Sequence, residues 1–200
     1  MKIAVASNNS HKITELKTFL KKYVPDVTVL SLSDIGFTGE IIEDGETFEE
    51  NAFIKAKTVS SLGYIAVADD SGLMVDALGG LPGVRSARFA GEPCDDEKNN
   101  RKLLSMLDGL PFEKRGAKFV SVISCVFPDG RSLTARGECP GRMLTEYRGN
   151  GGFGYDPLFL YEPLGKTFAE MTAEEKNEVS HRARSMAEFA KIFSKEVNEK

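Results

Sequence analysis

Asp69 and Asp70 stand side by side at the end of a β-like apolar run, within VADDSGLMVDALGG, residues Val67 to Gly80, and Ser71 and Gly72 follow them. Adjacent buried carboxylates repel each other, so a cation is the simplest reason to hold them together. Glu43 is a third candidate, in a loop that carries six acids between Glu40 and Glu50. Magnesium bound through one or two carboxylates, substrate phosphates and water is the usual arrangement in phosphoryl chemistry. Two plainer explanations stay open: one acid bonding turn amides, and a solvated charged loop.

Three further segments have the composition to hold a nucleotide. SNNSHK, Ser7 to Lys12, lies between a strand and a helix. Unpaired N–H groups, the positive end of the helix dipole and the Lys12 ammonium suit a phosphate there, although an ordinary N-cap turn uses the same residue types. GNGGFGYDP, Gly149 to Pro157, sets four glycines around Phe153 and Tyr155. Such a backbone can lie against a flat ligand and offer a ring for stacking on a base, with Asp156 free to read base-edge donors. A glycine-rich turn with core aromatics is the alternative. EEKNEVSHRAR, Glu174 to Arg184, carries Lys176, His181, Arg182 and Arg184 on an otherwise amphipathic helix, a setting in which such side chains are normally solvated. Lys55, in ENAFIKAK, reads by itself as a plain exposed lysine.

The elements that must position these residues follow from periodicity. Lys2 to Ser7 is a short buried strand, and Ile13, Leu16, Leu20 and Tyr23 recur at helical spacing after it. Val27 to Leu32 is a second strand. Thr47 and Glu50 form a capping box for a helix through about Ser61, with Phe53, Ala56 and Ser60 on one face. Tyr64 to Asp69 is the third strand. Pro82 and Gly83 punctuate a loop with room for one helical turn. Asp95 to Leu107 is a helix with Leu103, Leu104 and Leu107 inward. AKFVSVISCVF and RSLTARGEC are β runs joined by Pro128-Asp129-Gly130, a hairpin signal. RMLTE and PLFLY read as further short strands. From Thr172, which forms a capping box with Glu175, a helix runs to about Val197 with Val179, Ala183, Met186, Ala190 and Phe193 on one stripe, and Ser180 is placed to cap a second segment. Strands alternating with helices early and hairpins late imply an α/β fold with a mixed sheet. No GxGxxG follows the first strand, which disfavours an all-parallel dinucleotide-binding fold.

Composition narrows the functional classes. Two hundred residues, 41% of them apolar, suit one domain over 1–200, or one core split into two lobes. A formal net charge of −4 and the lack of a basic stripe disfavour a nucleic-acid partner. Cys94, Cys125 and Cys139 form no CxxC pair and read as buried small hydrophobes in a reducing cytoplasm. With only two histidines, a zinc site is hard to assemble, so any metal is expected to be hard and oxygen-bound. No run approaches a membrane span, and the opening apolar run is too short for a signal peptide.

Taken together and in order, SNNSHK, ENAFIKA, ADDSGLMVDALGGLPGVRSAR, GGFGYDP and EEKNEVSHR resemble the inosine triphosphate pyrophosphatase family over nearly the whole chain. Most members open the first motif with threonine and often glycine, where this chain has Ser7 and Asn8; the hydroxyl and Asn9 remain. The resemblance implies an elongated mixed β-sheet with helices forming two lobes around a nucleotide-binding cleft, and a homodimer. It implies Mg2+-dependent hydrolysis of deaminated purine triphosphates, ITP, dITP and XTP, to monophosphate and pyrophosphate. Carried over, Ser7, Asn8, Asn9, Ser10, His11 and Lys12 would hold the triphosphate with help from Lys55. Glu43 and Asp70 would bind magnesium, with Asp70 as general base. Ser71 would touch substrate, and Phe153, Gly154, Tyr155, Asp156, Lys176, His181 and Arg182 would hold the base and sugar. The division of labour between Asp69 and Asp70 stays open, as do two rival readings: a phosphatase releasing orthophosphate and a non-catalytic nucleotide-binding module.

Overall fold

The structure, a computed structural model, describes residues 1–198 and, within them, all side chains but those of Ser10, His11, Tyr23 and Asn198. Ser10 and His11 as phosphate ligands, and Tyr23 as a core residue, therefore lie outside the described side chains.

The run KIAV forms β1 (Lys2–Val5), and its side chains alternate between two cores as a strand's period of two requires. Ile3 and Val5 pack with Leu16 and Leu20 of helix α1 (Ser10–Tyr23), while Ala4 and Ala6 face Ala56 and Val59 of helix α2 (Phe48–Ser60). Both faces of the strand are covered, which is why it reads as continuously apolar. Strand β2 (Thr28–Leu30) and strand β3 (Ile65–Val75) flank β1 in parallel. Val67 joins the α1 side, and Ala66 and Ala68 the α2 side.

Helix α3 (Asp96–Met106) follows, capped by Asp95, and then strands β4 (Gly116–Val126) and β5 (Ser132–Met143). Strand β6 (Phe159–Tyr161), strand β7 (Lys166–Thr167), helix α4 (Ala173–Val179) and helix α5 (His181–Asn198) complete the chain. One seven-stranded sheet runs in the order β2-β1-β3-β4-β5-β6-β7, parallel among β2, β1 and β3 and antiparallel among β5, β6 and β7. The expected mixed α/β sheet is borne out.

Two compact units divide the chain. The first comprises Met1–Asp70, Ser121–Gly137 and the segment from Arg184; the second comprises Ser71–Val120 and Glu138–Ala183. In the first, α1 and α5 cover the sheet face that bears Ile3, Val67 and Ile123, with Phe189 and Phe193 at 0% and 2% exposure filling it. In the second, Leu103 and Leu107 of α3 meet Leu73, Val75, Phe119, Phe159 and Phe168.

Four local readings are corrected and one is borne out. Strand β3 does not stop at Asp69 but continues to Val75, so both acids sit mid-strand, where a lysine from a covering helix meets each of them and the backbone stays in the sheet. RMLTE is not a strand of its own, because β5 carries on through Pro140 to Met143, where it pairs with β6 at Arg142↔Leu160 and Met143↔Phe159. Phe53 points outward at 37% exposure; the inner face of α2 is Phe48, Ala52, Ala56 and Val59. The expected cap at Ser180 is borne out: its extended backbone (ψ 159°) ends α4 and its hydroxyl accepts from Ala183 N in the first turn of α5, so the terminal stretch is two helices. Cys94 is exposed, while Cys125 and Cys139 are buried.

Candidate active site

The pleat of β3 separates the two acids. Val67 faces α1 and Ala68 faces α2, so Asp69 and Asp70, the next residues, continue to those two sides in turn. Asp69 accordingly meets Lys12 of α1, Nζ to Oδ2 2.9 Å, and Asp70 meets Lys55 of α2, Nζ to Oδ1 3.2 Å. Lys55 also reaches Glu43 Oε2 at 2.7 Å, which brings the loop acid and the strand acid to one ammonium. Lys55 is thus buried, at 8% exposure, and not the surface residue its sequence context suggests. Its partner Glu43 hangs from a loop fixed by Asn51, whose Oδ1 accepts from Gly45 N at 2.8 Å, and α2 itself starts at the expected Thr47–Glu50 capping box.

Burial dominates the electrostatics. It pushes the Asp70 carboxyl above its usual value, and the ammonium groups of Lys55 and Lys12 only partly offset that, with Glu43 adding to it. Burial also works against the Lys55 charge, but Asp70 and Glu43 outweigh it and hold the ammonium above its usual range. Both shifts leave a lysine that stays charged beside a carboxylate that accepts a proton readily. Asp70 Oδ2 is buried with no hydrogen-bond partner among the described residues. Among those residues no group of three or more His, Cys, Asp or Glu gathers as a ligand set. The carboxylates of Glu43 and Asp70 are hard oxygen donors already collected around a cation, with one buried oxygen to spare, and they fit magnesium better than a soft metal.

The SNNSHK turn is tied by its own side chains. Asn9 N donates to Ser7 Oγ at 3.2 Å, and Asn9 Oδ1 caps α1 by accepting from Lys12 N at 3.2 Å. Asn8 and Asn9 are exposed, and the Lys12 side chain is 18% exposed.

The second unit gathers the aromatic and basic residues. Phe153 is 49% exposed, with Lys176 Nζ 5.1 Å and Arg182 Cζ 5.2 Å from its ring centroid. Arg182 Nη2 donates to Ser71 Oγ at 3.3 Å. His181, first residue of α5, is buried and stacks on Phe119 with centroids 4.8 Å apart. Tyr155 turns inward instead: its hydroxyl donates to Ser86 O at 2.8 Å, and burial raises its pKa. Asp156 is buried as well, and its Oδ2 accepts from Phe153 N at 2.9 Å and Lys176 Nζ at 2.5 Å. Tyr155 and Asp156 therefore brace the Phe153 loop, and Phe153 is its exposed ring. Gly152 makes that brace possible: at φ +73° a Cβ would stand 2.1 Å from Asp156 Oδ2. Gly152→Ala is expected to displace Asp156, loosen the Phe153 loop and lower Tm, checked by a thermal melt.

The sequence profile of the Ham1 family matches residues 3–192. The chain belongs to the Ham1 family. It is 49% identical over 197 residues to the dITP/XTP pyrophosphatase of Desulforamulus reducens, covering 98% of this chain and 96% of that one. It is 46% identical over 201 residues to the dITP/XTP pyrophosphatase of a Thermoanaerobacter species, covering 100% of both. Among solved structures, the Staphylococcus aureus Ham1 protein superposes with a TM-score of 0.91 at 38% identity, covering 98% of this chain and 100% of that one. A nucleoside-triphosphatase / dITP/XTP pyrophosphatase from Mycobacterium abscessus gives 0.82 at 45%, covering 94% and 96%. The family resemblance read from motif order is borne out.

Sequence reasoning missed Ser86, Asp96 and Asn100. Ser86 Oγ accepts from Leu73 N at 2.8 Å and its carbonyl receives Tyr155. Asp96 and Asn100 both bond the Gly154 peptide. The available signal was the pair Asn99-Asn100 inside a helix, where asparagine is a poor helix former and needs a reason to be buried.

Proposed function

We propose that the chain hydrolyses the triphosphates of deaminated purines, ITP, dITP and XTP, to the nucleoside monophosphate and pyrophosphate, and so clears them from the nucleotide pool. The observation that supports this most is the Asp70 carboxylate: buried, inclined to take a proton, one oxygen on Lys55 and the other without a hydrogen-bond partner among the described residues. Asp70 takes a proton from water as the water oxygen attacks the α-phosphorus. The bond from that phosphorus to the α–β bridging oxygen breaks, and pyrophosphate departs. Lys55 fixes Asp70 through Oδ1, and Lys12, with the first turn of α1, binds the phosphate chain. Glu43 and Asp70 would hold magnesium, which supplies charge neutralisation for the departing pyrophosphate.

Base selection belongs to the second unit. Phe153 stacks on the purine, and His181 and Arg182 offer donors to its 6-oxygen. The 6-amino group of adenine would confront them with another donor, at a cost of about 1–3 kcal/mol. Steric exclusion of the 2-amino group is the reading for guanine. Replacing Phe153 by alanine is expected to raise KM for ITP roughly tenfold or more, as loss of one base-stacking ring does, with kcat little changed.

Incubation with ITP, XTP, GTP and ATP, with magnesium or with EDTA, and anion-exchange separation of products tests the reading. Monophosphate and pyrophosphate from ITP and XTP, absent with EDTA and weak from GTP and ATP, is the expected result. Orthophosphate release points to a phosphatase, and tight binding without turnover to a binding module. The resemblance also implies a homodimer, checked by light scattering, and the cysteine usage points to a reducing cytoplasm; among the described residues no helix is long and apolar enough to cross a membrane.

A further inference from the structure

An exposed ring is a useful stacking surface only if something fixes its angle. Lys176 and Arg182 lie near the Phe153 ring, but these long side chains cannot set the orientation of the backbone that carries it. That backbone is held from another direction. Gly154 N donates to Asp96 Oδ2 at 2.8 Å, and Gly154 O accepts from Asn100 Nδ2 at 2.8 Å. Asp96 and Asn100 are four residues apart on α3, hence on one face of the helix. The pair grips both polar groups of a single residue, the one directly after Phe153. On its other side Phe153 is closed by Asp156, which accepts from Phe153 N and donates its own N–H back to Phe153 O at 3.2 Å.

Asn100 carries a second clue. It is buried at 3% exposure, and its Oδ1 has no hydrogen-bond partner among the described residues. A buried acceptor left unsatisfied costs free energy, and leucine of similar size would avoid that cost. Core stability therefore does not explain an amide here, whereas the Nδ2 bond to Gly154 does.

We propose that Asp96 and Asn100 are positioning residues that clip the Gly154 peptide to α3 and thereby hold the Phe153 ring at the angle that meets the purine. The inference rests on the base-stacking reading above. It requires that loss of the clip weaken recognition of the base and leave recognition of the phosphate chain alone.

The chain has no tryptophan, so Phe153→Trp introduces a single indole reporter at the ring. In that background Asn100→Leu, and separately Asp96→Ala, are expected to lower the fluorescence anisotropy of the indole and to weaken ITP binding about tenfold, the size of one lost hydrogen bond. Affinity for inorganic tripolyphosphate, measured by calorimetry, is expected to stay the same. Asp96→Asn, which keeps an acceptor oxygen, is expected to restore both readouts, a result that a merely structural role for Asp96 does not give. Unchanged anisotropy and ITP affinity without the clip would overturn the inference and leave the stacking reading intact, as would parallel losses for ITP and tripolyphosphate. No response of the indole to ITP in the parent Phe153→Trp protein would overturn the stacking reading and the inference with it.

Discussion

Asp70→Asn is expected to lower kcat by about 10²–10⁴-fold, the contribution of a positioned general base, while the protein stays folded. The amide keeps the shape of the carboxylate and an oxygen for Lys55, which retains Glu43 at 2.7 Å, but it has no basicity to take a proton from water. Stability should not suffer at neutral pH. Burial raises the Asp70 pKa above the usual 3.8, so the native state binds this proton more tightly than the unfolded chain does. Stability from that proton is fully present below the unfolded value and is lost as pH rises through the folded one. At pH 7 the ionised carboxylate is thus a cost that asparagine avoids. Calorimetric melts should show the variant equal to or above the parent at pH 7, with the difference shrinking towards pH 4. Near-parental kcat would remove Asp70 from the chemistry and favour a base elsewhere.

Lys55→Met is expected to produce the largest loss of stability. It leaves Asp70 and Glu43 together without their shared ammonium, and breaking a buried ion pair by removing one partner costs about 3–5 kcal/mol. Glu43 is 36% exposed at its side chain, which places the loss near the lower end, about 3 kcal/mol. For a chain of this size that corresponds to a fall in Tm of roughly 6–12 °C. The Lys55 pKa is raised above the usual 10.5, so its stabilisation is complete at neutral pH and is lost only as pH climbs through the raised value. In the variant Asp70 loses the cation that partly offset its burial, its pKa rises further, and the deficit should widen from acid to neutral pH. Millimolar magnesium should recover part of the lost Tm, and sodium chloride of equal ionic strength should not. A pH-independent loss, or one that magnesium leaves untouched, would separate Lys55 from the carboxylates and deny them the metal.

Much of the fold and the family was written in local patterns. The continuous apolar run in KIAV, the two capping boxes and the Pro128-Asp129-Gly130 turn each depend on residues within a few positions of one another, and each appears as expected. The order of the motifs was enough to identify the family. The errors fell where a partner distant in sequence decides the outcome. Tyr155 and Asp156 look like ligand-facing residues beside glycines, yet Ser86 and Lys176 hold them inward. Lys55 looks solvated until Glu43 and Asp70 are brought to it. Strand β3 looks finished at its acids, because no local signal says that lysines will receive them from either side.

What the sequence by itself determined was the family, a mixed α/β sheet, and two adjacent carboxylates in a buried strand. Only the tertiary structure separated the two acids. Their side chains alternate across the sheet with the pleat, and α1 covers one face while α2 covers the other. Asp69 is therefore committed to Lys12, and Asp70 to Lys55 and Glu43. Adjacency in sequence is opposition across a sheet, and the helix packed on each face decides what each acid can do.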